Sequence, residues 1–149
     1  MTEFLETTVD KFSFKVATDR SYSSEGLWAQ EVGHRIRIGL TDFLQQRSGD
    51  VAFAEVKPNG TELAVGDEVA TIETIKVNIS LTSPVKGKIV EVNPAMATAP
   101  EAINQDPYGE GWLSVIESAD WKTDRAALLD PQAYFTLMKG QAEEEAKKL

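Results

Sequence analysis

Within TIETIKVNISL, residues 71–81, the apolar positions change parity. Side chains alternate between the two faces of a β-strand. Ala70 and Ile72 make the even positions the inward set before this point, and Val77, Ile79 and Leu81 make it the odd positions after. A slip of one residue turns a whole strand onto the wrong face, so the run reads as two strands joined by a tight turn, with Lys76 at or beside its tip. A β-bulge produces the same flip, and Val69 and Ile75 fit neither count. Lysine is seldom fully buried. At a hairpin tip it offers a flexible four-carbon stem and an amine that is nucleophilic once deprotonated. That placement exposes it to an acylating enzyme while the strands hold its base. A lysine that is simply solvated on a turn looks the same and is the commoner case.

The rest of the chain narrows the chemistry by exclusion. It has 149 residues, which fits one domain with a core of useful size. There is no cysteine and one histidine, His34. Disulfides, thiol nucleophiles and cysteine metal sites are therefore excluded, and a usual zinc site lacks its ligands. The net charge of -9 argues against nucleic-acid binding, which needs a basic footprint. No apolar run approaches the ~18 residues of a membrane span. The start, MTEFLETTVDKF, carries Glu3, Glu6 and Asp10 and no apolar h-region, so neither a secretory signal nor a transit peptide is expected and a cytoplasmic location is.

Short strands separated by turns predict a mainly β fold with peripheral helices. Phe12, Phe14 and Val16 alternate with polar residues, one possible strand in an N-terminal extension of residues 1–19. Leu27 to Val32 and Arg35 to Leu40 flank Gly33-His34 as a hairpin, with Ile36, Ile38 and Leu40 inward and His34 a solvated turn residue. Thr41 is a plausible N-cap for a helical turn through Arg47, ended at Ser48-Gly49-Asp50. Further strands are expected at 51–56, 68–74, 77–82, 87–93 and 112–117, with a Pro58-x-Gly60 turn after the first. Residues 100–104 suggest one helical turn, with Pro100 at its first position. Asp130-Pro131 opens a C-terminal helix with Tyr134, Leu137 and Met138 on one face; Gly140 is its expected stop, and 139–149 a charged tail. Trp28 and Trp112 read as packing residues.

The window VGDEVATIETIKVNISLTSPVKGKIVEVN, residues 65–93, resembles a lipoyl or biotinyl carrier domain: Gly66-Asp67 before one strand, Lys76 at the tip, Ser83-Pro84 and Gly87 before the next. GDEVATIE and KGKIVEVN are weakly similar halves around the lysine. Biotin carriers resemble Met-Lys-Met at this point; Ile75 and Val77 favour lipoyl. A second stretch, NPAMATAPEAINQDPYGEGWL at 93–113, is similar to the glycine cleavage system H-protein family through Asn104, Asp106-Pro107-Tyr108-Gly109 and Gly111-Trp112. Ile38-Gly39-Leu40-Thr41-Asp42-Phe43, Gly49-Asp50-Val51, Phe53 and Asp130-x-x-Ala133-Tyr134 extend the resemblance over residues 20–138.

That resemblance implies a barrel-sandwich hybrid of the lipoyl-domain type with short peripheral helices and a C-terminal helix. It implies a lipoyl-binding domain over residues 20–138 and lipoate in amide linkage on Lys76. Glu73, Ile75 and Val77 become the marks read by the modifying enzyme. It implies a non-catalytic carrier of an aminomethyl group and reducing equivalents, the chemistry residing in the cofactor. The implied partners are a lipoate ligase or lipoyltransferase, glycine decarboxylase, aminomethyltransferase and dihydrolipoamide dehydrogenase. The chain departs from the family where His-Glu precedes tryptophan: Gly26-Leu27 stand there before Trp28. If that pair belongs to a surface that receives the arm or docks a partner, its loss favours an H-protein-like carrier for another pathway, lipoate relay or sulfur oxidation.

Overall fold

The structure, a computed structural model, describes residues 2–148. The chain runs β1 (Phe4–Val9), β2 (Phe12–Ala17), β3 (Ser21–Tyr22), β4 (Leu27–Val32), β5 (Arg35–Leu40), α1 (Asp42–Ser48), β6 (Val51–Val56), β7 (Glu62–Leu63) and β8 (Glu68–Thr74). It continues through β9 (Asn78–Thr82), β10 (Gly87–Val92), α2 (Ala95–Thr98), α3 (Ala102–Gln105), β11 (Ser114–Ser118), α4 (Trp121–Ala127) and α5 (Pro131–Ala146). A six-stranded antiparallel sheet has the order β3-β4-β5-β11-β10-β7, and a three-stranded one the order β6-β8-β9. Neither sheet closes on itself. β1 and β2 form a separate hairpin.

The apolar alternation explains the main core. Ile36, Ile38 and Leu40 from β5, Ile72 from β8, Leu81 from β9, Ile89 from β10 and Ile116 from β11 are all buried in one cluster drawn from both larger sheets. A second cluster gathers Phe14, Val16, Tyr22, Trp28, Phe43, Tyr134 and Met138. β4 serves both: Leu27 and Ala29 enter the first cluster and Trp28 the second. Its tryptophan lies flat on β5, where a Cβ on Gly39 would come within 2.5 Å of the indole. Only glycine fits opposite that ring. The Trp28 Nε1–H donates to the Pro107 carbonyl at 2.9 Å, and the Arg20 guanidinium covers the ring at 4.6 Å.

Most predicted elements are present within one or two residues, including the Thr41 cap on Leu44 N–H, the Gly33 and Gly60 turns and the Asp130 cap with Pro131 at the first helical position. Several differ. The extension holds two strands, not one, and Phe12, in phase with buried Phe14 and Val16, is 48% exposed. The one-turn helix near 100 begins at Ala102, after Pro100. Helix α5 does not stop at Gly140 and residues 139–146 are not a tail: Ala142 is buried and Arg47 reaches Glu145 at 2.8 Å. Tertiary contacts thus carry the helix past a residue that isolated propensity disfavours by about 1 kcal/mol. Leu149 lies outside the described residues.

Candidate functional site

β8 and β9 are antiparallel neighbours, with Glu73 opposite Asn78 and Ile72 opposite Ile79. The link between them is Thr74 to Val77, so the parity change is a turn and Lys76 stands at its tip. Thr74 builds that turn. Its N–H donates to the Val77 carbonyl at 2.8 Å, and its hydroxyl oxygen accepts from Lys76 N–H at 3.1 Å and Val77 N–H at 3.0 Å. The same hydroxyl donates to the Ser48 carbonyl at 2.7 Å, tying the tip to the end of α1. Ile75 N–H donates to the Asp50 carbonyl at 3.3 Å. A threonine side chain that organises its own turn in this way is a common local device.

The ground beneath the tip is held by Asn104 of α3. Its Oδ1 accepts from Val51 N–H at 2.9 Å, and its Nδ2 donates to the Gly49 carbonyl and Gln45 Oε1, each at 3.0 Å. Gly49 has φ +93°, and a Cβ there would lie 3.3 Å from the Lys76 Cδ. The lysine's methylenes therefore lie across a residue that ends α1 and leaves them room.

Lys76 and Glu73 are exposed, and Ile75 and Val77 are 77% and 44% exposed. Val77, expected inward, belongs to the tip; the inward set of β9 begins with half-buried Ile79 and is completed by Leu81. Glu73 is centred on the outer face of the small sheet, opposite Phe53 on β6 and Asn78 on β9. A register shift between Val51 and Phe53 accompanies the outward turn of Phe53, which is 68% exposed. Glu73, Ile75, Val77 and Phe53 thus frame the lysine. Lys86 precedes β10, and Lys88 is paired along it with Glu117 and Glu62, so neither occupies a hairpin tip. His34 sits exposed in the β4–β5 turn, remote in sequence from every residue of the site.

Gly26 and Leu27 are not on an open surface. Leu27 is buried in the main core, and Gly26, also buried, adopts φ +99°, where an added Cβ would crowd Leu44 Cβ at 3.1 Å. Thr74, Gly49 and Asn104 carry the site and were legible only in part: Gly49 reads as a helix stop and Asn104 as a motif residue, whereas a threonine two before the lysine has no distinguishing mark in sequence. Among the described residues no cluster of His, Asp and Glu suited to a metal ion occurs, and no helix is long and apolar enough to cross a membrane.

The family profile described as Glycine cleavage H-protein matches residues 20–141. The glycine cleavage system H protein of Anaeromyxobacter sp. (strain K) is 39% identical over 127 residues, 85% of this chain and 98% of that protein. That of Coprothermobacter proteolyticus is 42% identical over 107 residues, 71% of this chain and 84% of its own. The crystal structure of a glycine cleavage system H protein from Mycobacterium marinum superposes with a TM-score of 0.72 at 29% identity, covering 80% of this chain and 95% of that one. With a hairpin-tip lysine framed as described and this extent of match, the chain belongs to the glycine cleavage H-protein family.

Proposed function

We propose that Lys76 is the residue through which this lipoyl carrier of glycine cleavage works, its Nζ acylated by lipoate. The observation that supports it is the tip itself. The amine projects from a turn whose backbone is fastened by Thr74 to α1, so the point of attachment is rigid while the side chain is free. Acylation converts an ammonium into a neutral amide, and the attached lipoyl group supplies an exchangeable disulfide that a chain without cysteine cannot provide.

The protein's own part is positional and non-catalytic. The strands present the arm, Glu73 and the apolar pair Ile75 and Val77 mark the lysine for a lipoate ligase or lipoyltransferase, and the surface around them meets glycine decarboxylase, aminomethyltransferase and dihydrolipoamide dehydrogenase in turn. Glycine cleavage is favoured over the alternative pathway by the relatives, all glycine cleavage system H proteins, and not by Gly26 and Leu27, which in this chain are a buried turn residue and a core residue. Expression with a lipoate ligase and lipoate tests the reading. Intact mass should rise by one lipoyl group in the wild type and in Lys86→Ala and Lys88→Ala, and not in Lys76→Ala. A peptide map placing the label on another lysine refutes the assignment.

A further inference from the structure

Lys76 stands in an apolar patch. Among the described residues seven large hydrophobic side chains stay exposed, and four of them, Phe12, Phe53, Ile75 and Val77, lie about this one lysine. Exposed apolar residues gathered in one place mark an interaction surface, whereas scattered ones do not. Phe53, Ile75 and Val77 belong to the small sheet and its turn. Phe12 comes from β2 and, with Val9, Phe14 and Phe43, lines a surface hollow that Lys76 also lines.

The hairpin that carries Phe12 is held fast. Lys15 N–H donates to Asp42 at 3.0 Å, Gln46 donates to the Ser13 carbonyl at 2.8 Å, and the Tyr108 hydroxyl donates to the Lys15 carbonyl at 2.8 Å. Phe14 meets Phe43 edge to face at 5.4 Å, and Phe12 stacks beside Phe14 at 6.4 Å. Yet Phe12 is 48% exposed. A ring whose strand and neighbour are fixed loses little freedom when a partner covers it, as an interface anchor requires. Residue 12 precedes the residues 20–141 that match the family profile, so this ring is the chain's own addition to the patch.

Of the enzymes that a lipoyl carrier meets, one must close on the lysine itself. Acylation brings the activated carboxyl carbon of lipoate to the deprotonated Nζ; the C–N bond forms as the activating group leaves, and the amine's proton passes to a base or to water. The later partners meet the far end of the finished arm and need not cover its root. We propose that Phe12 is a docking contact for the enzyme that acylates Lys76, an apolar anchor that fits a recess beside that enzyme's acyl-donor site.

This rests on lipoylation at Lys76, and the test separates the two. Full-length wild type, Phe12→Ser, Phe12→Leu and Phe4→Ser are treated with a purified lipoate ligase, lipoate and ATP, and initial rates are read by intact mass. Phe4→Ser removes a 39% exposed ring from the same hairpin, away from the lysine's surroundings. KM for the carrier should rise roughly tenfold in Phe12→Ser while kcat stays within about twofold, as loss of an aromatic binding anchor requires. Phe12→Leu should recover most of the loss, and Phe4→Ser should match the wild type. Fully lipoylated Phe12→Ser should be reduced by dihydrolipoamide dehydrogenase and NADH at the wild-type rate. No mass gain in the wild type overturns the function reading and the docking contact together. A mass gain with equal KM in the wild type and Phe12→Ser, or an equal loss in Phe4→Ser, overturns the docking contact alone. Slower reduction of lipoylated Phe12→Ser overturns its assignment to the acylating enzyme.

Discussion

Lys76 has neither a cavity to leave nor a buried partner to strand, because its side chain is exposed and only its backbone N–H is bonded within the turn. Lys76→Ala should therefore alter the stability read from a denaturant melt by no more than about 0.5 kcal/mol, while abolishing lipoylation. Trp28→Ala is the opposite case. Its ring is fully buried, donates to Pro107 and covers Gly39, so the expected loss is about 3–5 kcal/mol. Trp112 is only half-buried, with Arg37 over its ring at 5.1 Å, and its removal should cost clearly less. A melt ranking Lys76→Ala above Trp28→Ala would mean that the lysine is structural. The Glu73 carboxylate makes no hydrogen bond or ion pair among the described residues, so Glu73→Gln should leave stability unchanged. If it is a mark for the lipoylating enzyme, kcat/KM for lipoylation should fall by roughly tenfold, about 1.4 kcal/mol. An unchanged rate would make it an ordinary solvated carboxylate.

At the scale of elements, the turn before β4 shows what the Gly26-Leu27 departure means. Gly26 N–H donates to the Ser23 carbonyl at 3.2 Å and its φ is +99°, while an added Cβ would crowd Leu44 Cβ at 3.1 Å. Gly26→Ala should destabilise by more than about 1 kcal/mol, since alanine pays for positive φ on top of the crowding. Leu27→Glu, which puts a carboxylate in the main core, should cost several kcal/mol. Wild-type-like melts for both would restore an exposed role to this pair. The same comparison explains which elements were legible beforehand. β5 and β9 alternate apolar and polar residues, β8 and β10 less cleanly because Val69 and Ala70 are both buried and Val90 is half-buried beside Ile89, and Lys76 was found because a parity change is a property of sequence alone. β1 was missed because its turn carries no glycine: Asp10 supplies the positive φ of 57° instead, a conformation aspartate tolerates better than most residues. The end of α5 was missed because Gly140 and a charged run look like a stop, and only Ala142 packing and the Arg47–Glu145 pair reveal that the helix continues.

Considered whole, the molecule has two cores, and its three tyrosines all belong to the second or pack against it. Tyr22 and Tyr134 stack at 4.6 Å, the Tyr22 hydroxyl donates to the Ala17 carbonyl, and the Tyr134 hydroxyl bonds that of Thr41 at 2.9 Å. Tyr108 reaches the Lys15 carbonyl. These phenols join the hairpin and α5 to the body. Burial raises all three above the ordinary value near 10, pushing Tyr134 up to about 12 and Tyr22 and Tyr108 further. Unfolded tyrosines release their protons near pH ~10 and the native ones do not, so the unfolded state binds fewer protons above that pH and stability falls as pH rises. The contribution is fully present below about pH 10, and each tyrosine held protonated removes about 1.4 kcal/mol of it per further pH unit. Three together amount to roughly 4 kcal/mol per unit, a large share of the 5–15 kcal/mol by which small proteins are stable. The chain should therefore unfold cooperatively between about pH 10 and 12, with phenolate absorbance appearing together with the loss of near-ultraviolet circular dichroism. Tyr22→Phe should be less stable at neutral pH by about 1–3 kcal/mol, because the Ala17 carbonyl loses its partner, yet show a shallower alkaline decline. Phenolate absorbance developing near pH ~10 while the circular dichroism stays native would mean that the tyrosines are solvated, and that the hairpin and α5 are not locked to the body in the way the second core requires.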